Sequence, residues 1–81
     1  MKCLYEFEIK TKCPVDFKGD RYEVTLESSD IIEVEKIIEV VKKLKEKTQY
    51  QEKMTFELAR ELRCITTTVG YHSGIKTTVR A

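Results

Sequence analysis

The spacing of apolar residues changes twice along this chain, and that change limits its fold more than any other feature. Apolar residues alternate with charged ones up to residue 27, recur at helical spacing between about residues 31 and 63, and alternate again from residue 65 to residue 80. Alternation turns one face of a strand towards a core, whereas spacings of three and four do the same for a helix. The predicted order of elements is therefore strand, strand, helix, helix, strand, strand.

The two N-terminal segments predict an antiparallel hairpin. Their apolar faces are Cys3, Tyr5, Phe7, Ile9 and Thr11, then Tyr22, Val24 and Leu26. Cys13 continues the first face at the end of its strand, and Pro14 ends the ladder there because it lacks a backbone N–H. We interpret residues 14–20 as the connecting loop. A second hairpin, rich in β-branched residues, is predicted for residues 65–80, with its turn at residues 72–74.

The middle of the chain predicts two helices or one kinked helix. Asp30 and Glu33 fit a capping box, so we expect the first helix to begin at Ile31. Its predicted apolar stripe is Ile31, Val34, Ile38, Val41 and Leu44, with Ile37 and Val40 alongside. The second helix is expected from about Tyr50 to Arg63, and its predicted buried stripe is Met54, Leu58 and Leu62. The basic run at the end of the first helix complements the helix dipole; it comprises Lys42, Lys43, Lys45 and Lys47.

These elements predict an α+β fold with the order ββααββ. The two hairpins join into a four-stranded antiparallel sheet with both helices on one face, and the 81 residues form a single domain, 1–81. Such a small sheet keeps exposed edges and a second, partly apolar face. We therefore expect the chain to assemble with copies of itself.

Composition excludes several classes of protein. The net charge is +1, from 15 basic and 14 acidic side chains, so the chain has no broad basic footprint for nucleic acid. No apolar stretch is long enough to span a bilayer, and the first residues do not resemble a signal peptide. We expect a cytoplasmic protein with no membrane contact. Its three cysteines lack CxxC spacing and argue against a disulfide framework; they are Cys3, Cys13 and Cys64.

Cys13 and Asp20 form the most suggestive pair of reactive residues. They flank the predicted loop, so a hairpin brings them close together. A nucleophilic thiolate needs a neighbouring group that gives or takes a proton, and a carboxyl group meets that need. The alternative is that Cys13 is a small core residue and Asp20 a turn residue.

The run from Cys13 to Asp20 resembles the active-site signature of the QueF family, which belongs to the tunnelling-fold superfamily. That family has Cys-Pro with an Asp seven residues after the Cys, as here. Its Val-Glu near the start of the first helix and its His-Glu at the start of the second correspond to Val34-Glu35 and Gln51-Glu52. A Gly-Ile pair in its last hairpin corresponds to Gly74-Ile75. The resemblance covers roughly residues 5–80.

This resemblance implies chemistry on the nitrile of 7-cyano-7-deazaguanine. Cys13 would attack the nitrile carbon to form a thioimide, and Asp20 would protonate the nitrile nitrogen. Glu52, with Glu35, would accept hydrogen bonds from the guanine-like edge, and His72 is a further expected substrate-binding residue. The resemblance also implies a homo-oligomeric ring, a pentamer or decamer, in which neighbouring copies share each site.

Two departures favour the family's amidinotransferase branch over its NADPH-dependent reductases. The reductases carry Ser-Lys-Ser after Val-Glu, whereas this chain has Lys36, Ile37 and Ile38, and Gln51 replaces the family's His. We therefore expect no cofactor, with ammonia as the second substrate and the nitrile base already installed in tRNA. Arg21 and the lysine run would then contact phosphate.

Other activities remain open. Besides the NADPH-dependent reductase, residues 51–55 resemble a helix segment of the GTP cyclohydrolases, whose zinc is held by Cys and His; Cys13, Cys64 and His72 would be the candidate ligands. The alternative to that role for His72 is a polar turn residue. We expect Cys3 and Cys64 to be buried structural thiols. A non-catalytic module that binds a purine or pterin is the remaining alternative.

Overall fold

The computed structural model describes residues 1–12 and 19–81. Its elements are β1 (Cys3–Lys12), β2 (Gly19–Ser28), α1 (Val34–Lys45), α2 (Gln51–Leu62), β3 (Ile65–His72) and β4 (Ile75–Arg80). The strands form one antiparallel sheet in the order β1-β2-β3-β4. The predicted ββααββ arrangement is confirmed, and the connection between the helices makes them separate elements.

The first hairpin is longer than the alternation predicts. Its ladder runs from the pair Cys3–Ser28 to the pair Lys12–Gly19, and Thr11 lies opposite Asp20. Gly19 and Asp20, expected in the loop, therefore belong to β2. Cys13 and residues 14–18 lie outside the described residues.

The core fills the space between one face of the sheet and the two helices. Its buried members are Ile9, Tyr22, Val24, Leu26, Ile37, Val40, Leu44, Met54, Leu58 and Leu62. The predicted stripe of α2 is thus confirmed. Neither helix is long or apolar enough to cross a membrane within the part of the chain that the structure describes.

Helix α1 begins later than predicted and turns a different face inwards. Its N-cap is Glu33, with no side-chain hydrogen bond, so the capping box is wrong. Ser28 accepts the backbone N–H of Asp30 at 3.1 Å instead, which is a turn interaction. The predicted stripe is also wrong: Ile31, Val34 and Ile38 are 73%, 55% and 61% exposed. The stripe that packs against the sheet is Ile37, Val40 and Leu44.

Strand β3 turns its polar residues inwards. Thr66, Thr68 and Gly70 are buried beneath the helices, and Tyr71 on the opposite face is 66% exposed. His72 is the last residue of the strand and pairs with Ile75, so it is not part of the turn. The turn is Ser73-Gly74, and both residues have positive φ, at 52° and 80°, as two-residue hairpins favour.

Candidate functional site

Asp20 and His72 lie at the same end of the sheet, next to the point where the chain leaves β1 towards Cys13. Glu23 pairs with Val69, and extending that antiparallel register sets Asp20 opposite His72 on the face covered by the helices. Lys12 also forms a parallel bridge to Thr48, just before α2 begins. The start of α2 therefore lies at this end too.

Tyr22 connects Asp20 to His72. Its hydroxyl donates to Oδ2 of Asp20 over 3.3 Å and lies 3.4 Å from Nε2 of His72. The two rings lie 5.8 Å apart between centroids, tilted by 45°. Sequence reasoning treated Tyr22 as a core aromatic residue only, because alternation reports the face of a strand and not the contacts of a hydroxyl.

Gln51 is the buried polar centre of the site. Its Nε2 donates to the carbonyl oxygen of Thr68 (3.2 Å), to Oγ1 of Thr68 (3.1 Å) and to the carbonyl oxygen of Thr77 (3.0 Å). Its Oε1 lies 3.1 Å from Nε2 of His72. One side chain thus ties α2 to β3 and β4 and holds the imidazole at the same time.

Thr55 completes this buried network one helical turn later. Its hydroxyl donates to the carbonyl oxygen of Gln51 at 2.7 Å and lies 2.6 Å from Oγ1 of Thr68. Because Thr55 and Thr68 are fully buried, each hydroxyl needs such a partner. The network fixes the first turn of α2 against β3.

Gln49 is buried beside the same helix start, and its side-chain amide has no partner within residues 1–12 and 19–81. Its side-chain oxygen and nitrogen are both inaccessible, and neither has a hydrogen bond among the residues that the structure describes. A buried unpaired amide is costly. Sequence reasoning missed this residue, since nothing in its spacing distinguishes it from a loop glutamine.

The two predicted base-binding carboxylates lie far apart within one chain. Glu52 is exposed in the first turn of α2, and Glu35 is exposed in the first turn of α1. Tyr5 accepts the backbone N–H of Ile32 at 2.9 Å, which places the start of α1 near Tyr5. Tyr5 and Lys12 are separated by about 23 Å of extended strand, so Glu35 belongs to the opposite end of the sheet.

The expected phosphate-binding residues are partly engaged elsewhere. Lys47 pairs with Glu57 at 3.4 Å and Lys43 with Glu39 at 3.7 Å. Arg21 pairs with Glu8 at 2.6 Å. Among the described residues, Lys42 and Lys45 have no ion pair. These two lysines of the run therefore remain available to contact phosphate.

The zinc alternative does not fit within one chain. Cys64 precedes β3 and His72 ends it, so about 26 Å of extended strand separates them. No three His, Cys, Asp or Glu side chains of residues 1–12 and 19–81 are close enough to hold one ion. Cys3 and Cys64 are free thiols that are half-buried, where we expected full burial. Burial raises the pKa of the Cys64 thiol, and its hydrogen bond with Thr66 opposes that shift.

Comparison with known proteins shows the fold. No family model matches the chain, and no curated protein matches its sequence. Among solved structures, the chain is similar to the crystal structure of the archaeosine synthase QueF-Like in the apo form. The TM-score is 0.88 at 17% sequence identity, over 99% of this chain and 90% of the other. The predicted tunnelling fold is thereby confirmed.

Proposed function

We propose that this chain is a QueF-like amidinotransferase, which converts the nitrile of 7-cyano-7-deazaguanine in tRNA into the amidine of archaeosine. The observation that carries the proposal is the position of Asp20. It lies on the helix-covered face of the sheet, one residue beyond the pair Lys12–Gly19 from which the chain enters the Cys13 segment. The fold shared with an archaeosine synthase over nearly the whole chain supports the same activity.

The proposed reaction has two balanced steps. In the first, the Cys13 thiolate bonds to the nitrile carbon while Asp20 gives a proton to the nitrile nitrogen, so that a thioimide forms and Asp20 becomes a carboxylate. In the second, ammonia bonds to the same carbon, the carbon–sulfur bond breaks, and Asp20 takes up the proton that ammonia loses. Both side chains return to their starting forms, and no cofactor is consumed.

Substrate recognition is assigned to carboxylates and an imidazole. Glu52, exposed in the first turn of α2, would accept two hydrogen bonds from the guanine-like edge of the base. Glu35 lies at the opposite end of the sheet from Asp20, so a neighbouring copy in a ring would have to supply the Glu35 that contacts the base. His72 already uses Nε2 towards Gln51, so Nδ1 is the nitrogen that remains for the substrate.

The tRNA partner is expected to contact Lys42 and Lys45, near the end of α1. Their charges are not neutralised by ion pairs among the described residues, and phosphate contacts of this kind weaken as salt rises. A cytoplasmic location follows from this substrate. The NADPH-dependent reductase is the alternative outcome, in which hydride rather than ammonia reacts with the thioimide.

Intact mass measurement tests the proposal directly. The wild-type chain and Cys13→Ala are mixed with 7-cyano-7-deazaguanine, with Cys64→Ala as the matched control. We expect a gain of one ligand mass in the wild type and in Cys64→Ala, and none in Cys13→Ala. The adduct is then treated with ammonia or with NADPH, and release of the amidine by ammonia identifies the amidinotransferase. No adduct with the free base or with tRNA carrying it would leave a non-catalytic binding module.

A further inference from the structure

The orientation of the buried Gln51 amide is determined by its surroundings. One end of the amide faces the carbonyl oxygens of Thr68 and Thr77. Backbone carbonyl oxygens only accept hydrogen bonds, so the atom that faces them is the NH₂ group. The opposite orientation would set the amide oxygen against two other oxygens in a buried place. The Oε1 atom therefore faces His72.

This orientation determines which nitrogen of His72 carries hydrogen. Oε1 of Gln51 only accepts, and it lies 3.1 Å from Nε2 of His72. The Nε2 atom must then bear a hydrogen, whether the ring is neutral or charged. The second partner of Nε2 is the Tyr22 hydroxyl oxygen, 3.4 Å away, which consequently acts as an acceptor towards the imidazole.

The hydroxyl hydrogen of Tyr22 is thereby directed to Asp20. Since Nε2 bears a hydrogen, Tyr22 cannot donate to it. Oδ2 of Asp20 lies 3.3 Å from the hydroxyl and receives that hydrogen. His72 thus donates to Tyr22, and Tyr22 donates to Asp20. Both directions follow from the two backbone carbonyl groups that orient the Gln51 amide.

We propose that Gln51, His72 and Tyr22 are positioning residues that hold Oδ2 of Asp20 as a hydrogen-bond acceptor, so that Oδ1 is the oxygen that carries and transfers the proton. This inference rests on the proposed function, since the proton goes to the nitrile nitrogen while the Cys13 sulfur bonds to the carbon. A carboxyl group with its proton on Oδ2 would compete with the hydrogen of Tyr22, whereas a proton on Oδ1 leaves that bond intact. Gln51 and Tyr22 are not required to touch the substrate, and the positioning role of His72 uses Nε2 and leaves Nδ1 for the base.

The first test needs no substrate. The chain has one histidine, so two-bond ¹H–¹⁵N spectra of ¹⁵N-histidine-labelled protein report His72 alone. In mildly alkaline buffer, where an ordinary imidazole is neutral, we expect the pattern of the Nε2–H tautomer. The Nδ1–H pattern, or the averaged pattern of free histidine, would overturn the proposal, since Tyr22 would then be able to donate to Nε2.

The second test measures the rate of adduct formation with 7-cyano-7-deazaguanine. Tyr22→Phe removes the donor to Asp20 and should slow the adduct roughly tenfold to hundredfold, the range for losing a hydrogen bond to a charged group. Its His72 spectrum should still show Nε2–H, because Gln51 remains. Tyr5→Phe, which loses a hydroxyl that accepts a backbone N–H, is the matched control and should react at the wild-type rate.

The outcomes separate the two proposals. Equal rates for Tyr22→Phe and Tyr5→Phe, with the adduct still formed, would overturn the positioning role and leave the proposed function standing. A wild-type chain that forms no adduct with the free base or with tRNA carrying it would overturn the proposed function and, with it, the proton-carrying role of Oδ1. The Nε2–H pattern together with the selective loss in Tyr22→Phe would support both.

Discussion

The ring of Tyr22 lies directly against the α-carbon of Gly70 on the neighbouring strand. A β-carbon at position 70 would overlap Cδ1 and Cε1 of that ring. Glycine is thus required here by space rather than by backbone conformation. The close approach holds the ring in the orientation that brings its hydroxyl to Asp20.

Gly70→Ala should both destabilise the fold and disturb the site. Overpacking of this kind costs about 1–3 kcal/mol of the free energy of unfolding, and a displaced Tyr22 ring would also slow adduct formation. Urea denaturation and the adduct rate measure the two effects. Gly74→Ala is the matched control. Its φ is +80°, and no described atom beyond its chain neighbours lies within 4 Å of an added β-carbon, so it should lose stability through backbone strain while keeping the adduct rate. Equal adduct rates in the two variants would contradict the prediction.

Gln49→Met should stabilise the protein. The variant removes a buried amide that has no partner among the described residues and keeps a similar volume. The free energy of unfolding should rise by about 1–3 kcal/mol, the cost of leaving a buried polar group unsatisfied. Gln51→Met gives the comparison, because it deletes a hydrogen-bonded amide and should lose stability. A loss of stability in Gln49→Met would show that its amide has a partner in solution.

Stability should fall in acid through Glu27. The hydrogen bond and charge of Lys2 hold the pKa of this carboxyl below the ordinary value of 4.5, with Arg80 adding to the effect. A depressed pKa in the folded state contributes stability above the unfolded pKa and loses it as the pH falls through the folded one. Lys2→Met should therefore flatten the acid limb of a plot of stability against pH. Lys76→Met is the control, because Lys76 is exposed and forms no ion pair in the described part of the chain. An acid limb that is equally flat in both variants would refute the role of Lys2.

The cysteines should differ in their rates of alkylation. Burial raises the pKa of Cys64, so less thiolate is present at neutral pH and iodoacetamide should react slowly there. Thr66→Val removes the opposing hydrogen bond and should slow it further. Cys13, as the proposed nucleophile, should react fastest of the three, as measured by peptide mass spectrometry. Equal slow reaction of all three thiols would count against an enzyme.

Much of the fold could be predicted because the spacing of apolar residues differs between strands and helices. The switch from alternation to helical spacing placed the six elements, and the stripe of Met54, Leu58 and Leu62 placed the inner face of α2. The faces of β3 could not be predicted in this way. Both of them carry β-branched residues, and threonine fits a buried face as well as valine when its hydroxyl finds a partner, as Thr68 does with Thr55.

The site was only partly accessible from sequence for a similar reason. Asp20 and His72 stood out as reactive residue types, and the structure brings both to one end of the sheet. Tyr22 and Gln51 link them through atoms whose contacts depend on the register between β2 and β3, which no local pattern encodes. The start of α1 was misplaced because Asp30 does not cap the helix: the N-cap is Glu33, which makes no side-chain hydrogen bond, and Ser28 accepts the backbone N–H of Asp30 in a turn.

The pairing between the two hairpins joins residues much farther apart in sequence than the pairing within each hairpin. Each hairpin joins residues that are near in sequence, whereas Glu27 pairs with Ile65 across residues 28–64. Closing so long a segment has a larger entropic cost, and non-local pairing of this kind slows folding. Tyr22 comes from the first hairpin and His72 from the second, so the contact between them exists only after this closure. During refolding, we therefore expect the signature of His72 to return later than the bulk of the β-sheet signal.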